Sequence, residues 1–152
     1  MTTRGDLFTL TYTATSPATA VTAVADPMGG LDKCDYVIID ASLAGGTGGT
    51  LDIYLQREID GTASDVWADW YHFAQLSAGS TAKVSVTSDM ATTTAPIVIG
   101  IGTLAVPAVA LAANTLTARE PMGRVRMVFV AGASTSAGAA QTIRFSGRHV
   151  RI

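Results

Sequence analysis

A period-two alternation of apolar and polar residues runs through most of this chain and predicts β-strands. It is clearest at residues 51–57, where Leu51, Ile53 and Leu55 fall on one face. Similar alternation, or a short apolar run bounded by turn residues, occurs at residues 7–15, 36–41, 67–76, 82–87, 124–130 and 141–152. Helical periodicity is weak throughout. The pattern therefore predicts an all-β fold, a β-sandwich or jelly roll of about eight antiparallel strands.

Turn-forming residues separate these strands, and nothing indicates a second domain. Residues 45–49 read Gly-Gly-Thr-Gly-Gly, and Asp60-Gly61 favours a tight hairpin after the strand at 51–57. With 152 residues the chain is long enough to bury one core. We therefore expect one domain at residues 7–152, preceded by a flexible N-terminal arm at residues 1–6.

Residues 95–113 form an uncharged, mainly apolar run of 19 residues, which is about the length of a membrane-spanning helix. Two prolines and two glycines interrupt it, and residues 97–101 are rich in the β-branched side chains that are typical of strands. We therefore predict a buried strand followed by a long apolar loop, and no membrane span. Such a loop needs cover, which a neighbouring subunit would supply.

Charged residues make up only 14% of the chain and hydrophobic residues 48%, whereas about 25% charged residues is usual in a soluble domain. A small charged fraction favours a surface that other subunits partly cover. The alternative is a monomer whose surface is rich in Thr and Ser.

Charge is unevenly divided along the chain. Residues 1–76 carry three basic and ten acidic residues, and residues 77–152 carry seven basic and two acidic ones. The two halves either form opposite faces that join copies head to tail, or interleave and pair their charges within one subunit. The C-terminal arginines, such as Arg124 and Arg148, do not alternate with aromatic residues and the chain is acidic overall. We therefore expect them at a subunit interface or in intrachain pairs, and not on nucleic acid.

The sequence offers no group of residues typical of a catalytic or metal site. Cys34 is the only cysteine, which excludes an intrachain disulfide, and it adjoins an apolar run that favours burial. His72 and His149 lack the spacing of metal ligands. Asp52 and Glu58 either face each other from neighbouring strands, as in a glycosidase, or are solvated. We expect no enzymatic activity, no metal and no cofactor.

Four aromatic residues cluster within seven positions: Trp67, Trp70, Tyr71 and Phe73. Aromatic rings at this density fill a core or an interface, which is the interpretation we favour. The alternative is a carbohydrate-binding module, in which Trp67, Trp70 and Tyr71 would stack on sugar rings.

One segment resembles small structural proteins of tailed bacteriophages. Residues 48–57 read Gly-Gly-Thr-Leu-Asp-Ile-Tyr-Leu-Gln-Arg, Asp60-Gly61 follows, and residues 67–76 read Trp-Ala-Asp-Trp-Tyr-His-Phe-Ala-Gln-Leu. In those phage proteins a Thr-Leu-Asp-Val-x-Leu-Gln strand precedes an Asp-Gly turn and a strand of the form Trp-x-Asp-hydrophobic. The resemblance covers about thirty of the 152 residues, and extracellular carbohydrate-binding sandwiches have similar patterns. The family it indicates is the jelly-roll decoration (cement) proteins of phage heads.

The resemblance implies an accessory subunit, often a homotrimer, that is made in the host cytoplasm and binds the major capsid protein on the outside of the virion. There it would bridge capsomers and resist the pressure of packaged DNA. No catalytic residue carries over. The candidate contact residues, in the arm, the apolar loop and the C-terminal arginines, are Thr2, Arg4, Leu7, Val106, Val109, Leu111, Arg124 and Arg148. A tail or fibre subunit of a phage is an alternative.

Overall fold

The computed structural model describes residues 7–18, 22–31, 34–58, 66–89, 99–100, 112–113, 115–116, 124–132 and 138–149. Within these ranges the chain forms eleven strands and no helix, which confirms the predicted all-β fold. The strands are β1 (Leu7–Thr15), β2 (Thr22–Val24), β3 (Cys34–Ala44), β4 (Thr50–Glu58), β5 (Trp67–His72), β6 (Leu76–Ser77), β7 (Thr81–Asp89), β8 (Ile99–Gly100), β9 (Thr115–Leu116), β10 (Val125–Ala131) and β11 (Ala140–His149).

Seven of these strands have six or more residues, and each overlaps a strand that the alternation predicted. The other four, β2, β6, β8 and β9, have two or three residues, too few to display a period. Residues 67–76, predicted as one strand, are interrupted at residues 73–75. Both pieces, β5 and β6, still pair with β4, so the interruption leaves the sheet intact.

The strands form two antiparallel sheets that pack as a sandwich. One sheet has the order β1-β11-β3-β7. The other has the order β2-β10-β4-β5-β8, with β6 also pairing with β4 and β9 with β5. In each sheet a strand from the end of the chain lies between two strands from its beginning. The acidic and basic halves of the sequence therefore interleave within one subunit and do not form two opposite faces.

The core lies between the sheets and is built from alternate residues of their strands. From β3, Val37 and Ile39 are fully buried, and from β4, Ile53 and Leu55 are at most 1% exposed. Burial of one such aliphatic side chain stabilises a fold by about 1.5–3 kcal/mol. The remaining buried members include Cys34, Leu43, Leu51, Trp70, Phe73, Met127, Phe129, Ile143 and Phe145. The expectation that Cys34 is a small buried apolar residue is confirmed.

A β-bulge in β5 places two adjacent aromatic residues in this core. Leu55 lies opposite Tyr71 and Gln56 lies opposite Asp69, so Trp70 is the extra residue of the bulge. Strict alternation would send Trp70 and Tyr71 to opposite faces. The bulge instead allows both to join the core, where the Trp70 ring stacks on Phe145 of the other sheet with centroids 6.1 Å apart.

Candidate functional site

The outer face of the seven-stranded sheet carries polar side chains that are almost inaccessible to solvent. Leu55 of β4 faces the core, so Gln56 lies on the outer face, and so does Glu58 two residues further along. Gln56 is 2% exposed, Glu58 1%, and Asp69 on the adjacent strand 3%. The outer polar network, as we name it, consists of Asp52, Gln56, Glu58, Asp69, His72, Arg124 and Arg126.

Gln56 is the centre of the outer polar network and connects three strands. Its Nε2 donates to Asp69 Oδ1 of β5 at 3.0 Å, and its Oε1 accepts from Arg126 Nε of β10 at 2.9 Å. Both ends of the buried amide are therefore satisfied, as a buried polar group requires. The hydrogen bonds follow the cross-strand register, in which Gln56 lies opposite Asp69 on one side and Arg126 on the other.

Two arginines lie over the Trp67 ring at one end of the network. Arg124 donates from Nε and Nη2 to the two carboxylate oxygens of Glu58, at 3.0 and 2.6 Å. The guanidinium carbons of Arg124 and Arg126 are 5.3 and 4.3 Å from the centroid of the indole. This geometry combines a bidentate ion pair with cation–π contacts, and it holds the indole, which is 2% exposed, against the sheet.

At the other end, His72 stacks on Tyr54 with centroids 3.9 Å apart and an interplanar angle of 13°. Its Nε2 is 3.3 Å from Asp52 Oδ1, and the second oxygen of that carboxylate accepts from Gln75 Nε2 at 2.8 Å. Burial raises the pKa of the Tyr54 hydroxyl, and the negative charges of Asp52 and Asp69 raise it further. The phenol is therefore held in its neutral form.

The arrangement of the carboxylates does not match a glycosidase. The less favoured alternative, in which Asp52 and Glu58 face each other from neighbouring strands, is wrong, because both belong to β4. Six residues of extended strand separate them by about 20 Å, whereas paired catalytic carboxyls lie about 5–9.5 Å apart. Glu58 is also buried and not solvated. Within the described ranges, no three His, Cys, Asp or Glu side chains converge as they would around a metal ion.

The outer face of the four-stranded sheet is open to solvent and polar. Arg144 of β11 lies directly opposite Asp40 of β3, which in turn accepts a hydrogen bond from Ser85 Oγ of β7 at 2.6 Å. Lys83 lies beside them, opposite Ser42, and the face forms a shallow groove of about 410 Å³. Its charged side chains are exposed.

The predicted contact residues are only partly described. Leu7 is 73% exposed at the start of β1, and Arg148 lies directly opposite it on β11. Arg124 belongs to the other sheet, where it pairs with Glu58, so the structure does not bring it together with Leu7 and Arg148. The remaining candidates, Thr2, Arg4, Val106, Val109 and Leu111, lie outside the described residues. No helix in the described ranges is long and apolar enough to cross a membrane.

The aromatic residues that could have stacked on a sugar are buried. Trp70 is fully inaccessible, and Trp67 and Tyr71 are 2% and 3% exposed. Tyr71 meets Phe73 edge to face with centroids 4.7 Å apart, and burial raises the pKa of the Tyr71 hydroxyl. Trp70, Tyr71 and Phe73 therefore belong to the core, whereas Trp67 lies on the outer face beneath two arginines. A stacking platform needs an open ring face, and these buried rings do not offer one.

The sequence pattern assigned no role to Gln56 or Asp69, and it indicated Arg126 only as one of the C-terminal arginines. In an alternating strand they read as solvated positions on the polar face. One signal could have shown otherwise: residues 67–73 contain few residues polar enough to form a solvated face, which indicates a strand covered on both sides.

Comparisons with known proteins give no family for this chain. No family model matches it, and no curated protein matches it. Among solved structures, a chain from the structure of infectious bursal disease virus Gx strain is similar, with a TM-score of 0.39 and 12% sequence identity. The similarity covers 97% of this chain and 33% of the viral chain, so this protein spans about one third of that chain's length.

Proposed function

We propose that this protein is a structural subunit of a virion that acts through protein–protein contacts and not through catalysis. Specifically, it is a decoration (cement) subunit on the outside of a bacteriophage head, where it binds the major capsid protein and copies of itself and bridges capsomers. The assignment to a phage and to its head rests on the resemblance of residues 48–76 to phage decoration proteins. The same resemblance implies a homotrimer.

The observation that carries the non-catalytic part of the proposal is the pairing of the charged groups in the outer polar network. Each of its three carboxylates contacts a side chain of the same subunit: Asp52 contacts Gln75, Glu58 contacts Arg124, and Asp69 contacts Gln56. Two of these carboxylates are at most 3% exposed. Groups held in this way reinforce the sheet and are poorly placed to reach a substrate.

The position of the resembling segment also supports the proposal. It forms β4, β5 and β6, which lie in the middle of the seven-stranded sheet. Trp70 and Tyr71 fill the core, Trp67 lies under two arginines and Tyr54 stacks on His72, so the shared pattern corresponds to the framework of the sandwich. A shared framework is what a family of shell-binding subunits without catalytic residues would retain.

The experiment that tests the proposal compares phage heads assembled with and without this chain. We expect heads that lack the chain to assemble and then to release their DNA at a lower temperature, because the bridges between capsomers are missing. Purified protein added back should restore both occupancy and thermal resistance. Antibody labelling in electron micrographs separates a head location from a tail or fibre location. The proposal is contradicted if purified phage particles do not contain the protein. It is also contradicted if heads that lack the protein are as stable as heads that carry it.

A further inference from the structure

The two sheets differ in the length of their edge strands. The seven-stranded sheet ends in β2 and β8, which have three and two residues. The four-stranded sheet ends in β1 and β7, which have nine residues each. Among the described strands, β1 pairs only with β11 and β7 only with β3. In the described part of the chain, β1 and β7 therefore each have one side that pairs with no other strand.

Only β7 carries a residue type that protects natural sheet edges from pairing. Lys83, the third of its nine residues, is exposed. In contrast, β1 reads Leu-Phe-Thr-Leu-Thr-Tyr-Thr-Ala-Thr, with neither charge nor proline, and its register with β11 is unbroken over all nine residues. By the usual criteria β1 is an edge built to accept a partner strand.

The hydrogen-bonding ladder shows which backbone groups point out of this edge. Ser16 N–H donates to Ala139 O at 3.0 Å, and Thr15 lies opposite Ala140, so Ser16 and Ala139 form a hydrogen-bonded pair. Such pairs alternate along an antiparallel ladder. The even-numbered residues of β1 therefore bond to β11, and the N–H and C=O groups of the odd-numbered residues point to the open edge. These odd-numbered residues are the exposed ones, Leu7 and the threonines.

We infer that β1 pairs antiparallel with β1 of a second copy, about a twofold axis at Thr11, to form an eight-stranded sheet across two subunits. In this register Thr11 lies opposite Thr11 and Thr9 lies opposite Thr13. Odd-numbered residues lie opposite odd-numbered residues, so the outward backbone groups of both strands meet as donors and acceptors, and the even-numbered residues form the alternate pairs that are not hydrogen-bonded. The threonine side chains then lie beside one another on the outer face, a favourable cross-strand pair.

The neutrality of β1 argues for a second copy as the partner. At a twofold axis each residue near the axis meets itself, and like charges directly opposite destabilise a sheet. A strand that pairs with its own copy must therefore be uncharged there, whereas a strand that pairs with a different protein need not be. The nearest charges, the two copies of Arg144, would lie about 14 Å apart, a distance at which solvent and salt screen them strongly.

The inner face of β1 supplies an apolar contribution. Phe8, Leu10 and Ala14 pack against the core and remain only partly buried, although Tyr12 between them is 7% exposed. In the proposed register Leu10 lies beside Tyr12 of the second copy and Phe8 beside Ala14. Pairing would thus extend the core of each subunit across the axis. The inference does not depend on the proposed function. If the protein also forms a homotrimer, the β1 pairing adds a twofold contact to the threefold contact of that trimer.

The test measures the mass of the full chain by light scattering after gel filtration, at high micromolar concentration. We expect an even number of 15.6 kDa subunits. Thr11→Lys should weaken association by about tenfold or more, because two lysines then meet at the axis. Thr11→Glu should do the same, and an equimolar mixture of the two variants should associate again. Thr81→Lys is the matched control, since Thr81 is exposed at the open side of β7.

Four outcomes would overturn the inference. If the wild-type protein is monomeric, or if Thr11→Lys leaves its oligomer intact, then β1 forms no contact between copies. Dissociation by Thr81→Lys as well as by Thr11→Lys would show head-to-tail pairing of β1 with β7. Should the charged variants fold poorly by circular dichroism, Thr11→Cys in a Cys34→Ser background replaces them: oxidation must then give a disulfide-linked dimer, and a failure to cross-link rejects the twofold register.

Discussion

The Tyr12 hydroxyl is one group that joins the two sheets, and its removal should be costly. It donates to Asp26 O at 2.6 Å and accepts from Met127 N–H at 3.1 Å. In Tyr12→Phe both backbone groups lose this partner, and we expect the free energy of unfolding in urea to fall by about 1–3 kcal/mol. Tyr36→Phe is the control, because that side chain is on the outer face of β3. Equal losses in the two variants would contradict this role of Tyr12.

The same residue predicts how stability responds to alkaline pH. Burial raises the pKa of Tyr12 above 10.0, reinforced by Asp26 and only partly opposed by the Met127 N–H. The folded protein thus holds the phenolic proton more tightly than the unfolded chain does. Its contribution to stability is complete below about pH 10 and is lost as pH rises through the higher folded pKa. Unfolding measured between pH 8 and 11 should therefore show a decline that is shallower in Tyr12→Phe than in the wild type.

Gln141 is a fully buried amide that ties β11 to its neighbours. Its Oε1 accepts from Ala44 N–H at 2.9 Å, and its Nε2 donates to Ala44 O at 2.7 Å and to Ala139 O at 3.1 Å. Gln141→Leu keeps the volume but removes the partner of both backbone groups of Ala44, whereas Ala139 O keeps its hydrogen bond from Ser16 N–H. We therefore expect a loss of about 2–5 kcal/mol in chemical unfolding. Gln75→Leu, at an exposed position, should change stability by less than about 0.5 kcal/mol. If Gln141→Leu and Gln75→Leu both change stability by a similarly small amount, the structural role of Gln141 is contradicted.

At the scale of elements, the ion pair of Glu58 with Arg124 reinforces one end of the pairing of β4 with β10, which starts at Val125. Glu58 is buried, whereas the Arg124 side chain is 31% exposed. Arg124→Met leaves a buried carboxylate without its main partner, and we expect a loss of about 2–4 kcal/mol, somewhat below the value for a fully buried pair. The double variant Glu58→Gln/Arg124→Met should recover part of it, since the buried charge is gone. Additive losses would show that the two side chains are not coupled.

The long strands could be predicted from the sequence because each places apolar residues at every second position over six or more residues. Their partners could not. That β11 lies between β1 and β3, and β10 between β2 and β4, depends on contacts between residues that are distant in sequence, such as Leu7 with Arg148 and Arg57 with Val125. No local pattern encodes such contacts. The outer polar network follows from this order: Gln56 meets Arg126 only because β10 pairs with β4.

For the whole molecule, the proposed attachment to a shell predicts that removal of residues 1–6 separates binding from folding. The deletion ends immediately before β1, whose pairing with β11 starts at Leu7. We expect the shortened chain to unfold at the same temperature as the full chain and to occupy fewer sites on phage heads. Occupancy is measured by densitometry of purified particles after incubation with equal amounts of either protein. Unchanged occupancy would assign the contact to another segment.

The sequence alone determined that this is an all-β chain with a buried Cys34, and it showed the dense group of aromatic residues at positions 67–73. Period-two burial and the local chemistry of turns are properties of neighbouring residues, so they can be read from the chain. The tertiary structure decided what neighbours in sequence cannot. It placed Asp52 and Glu58 on one strand and turned Trp70 inward at a bulge. It also covered polar residues that read as solvated, and it left the neutral strand β1 at an open edge. Each of these depends on which strands lie side by side, and that order is fixed by packing across the sandwich.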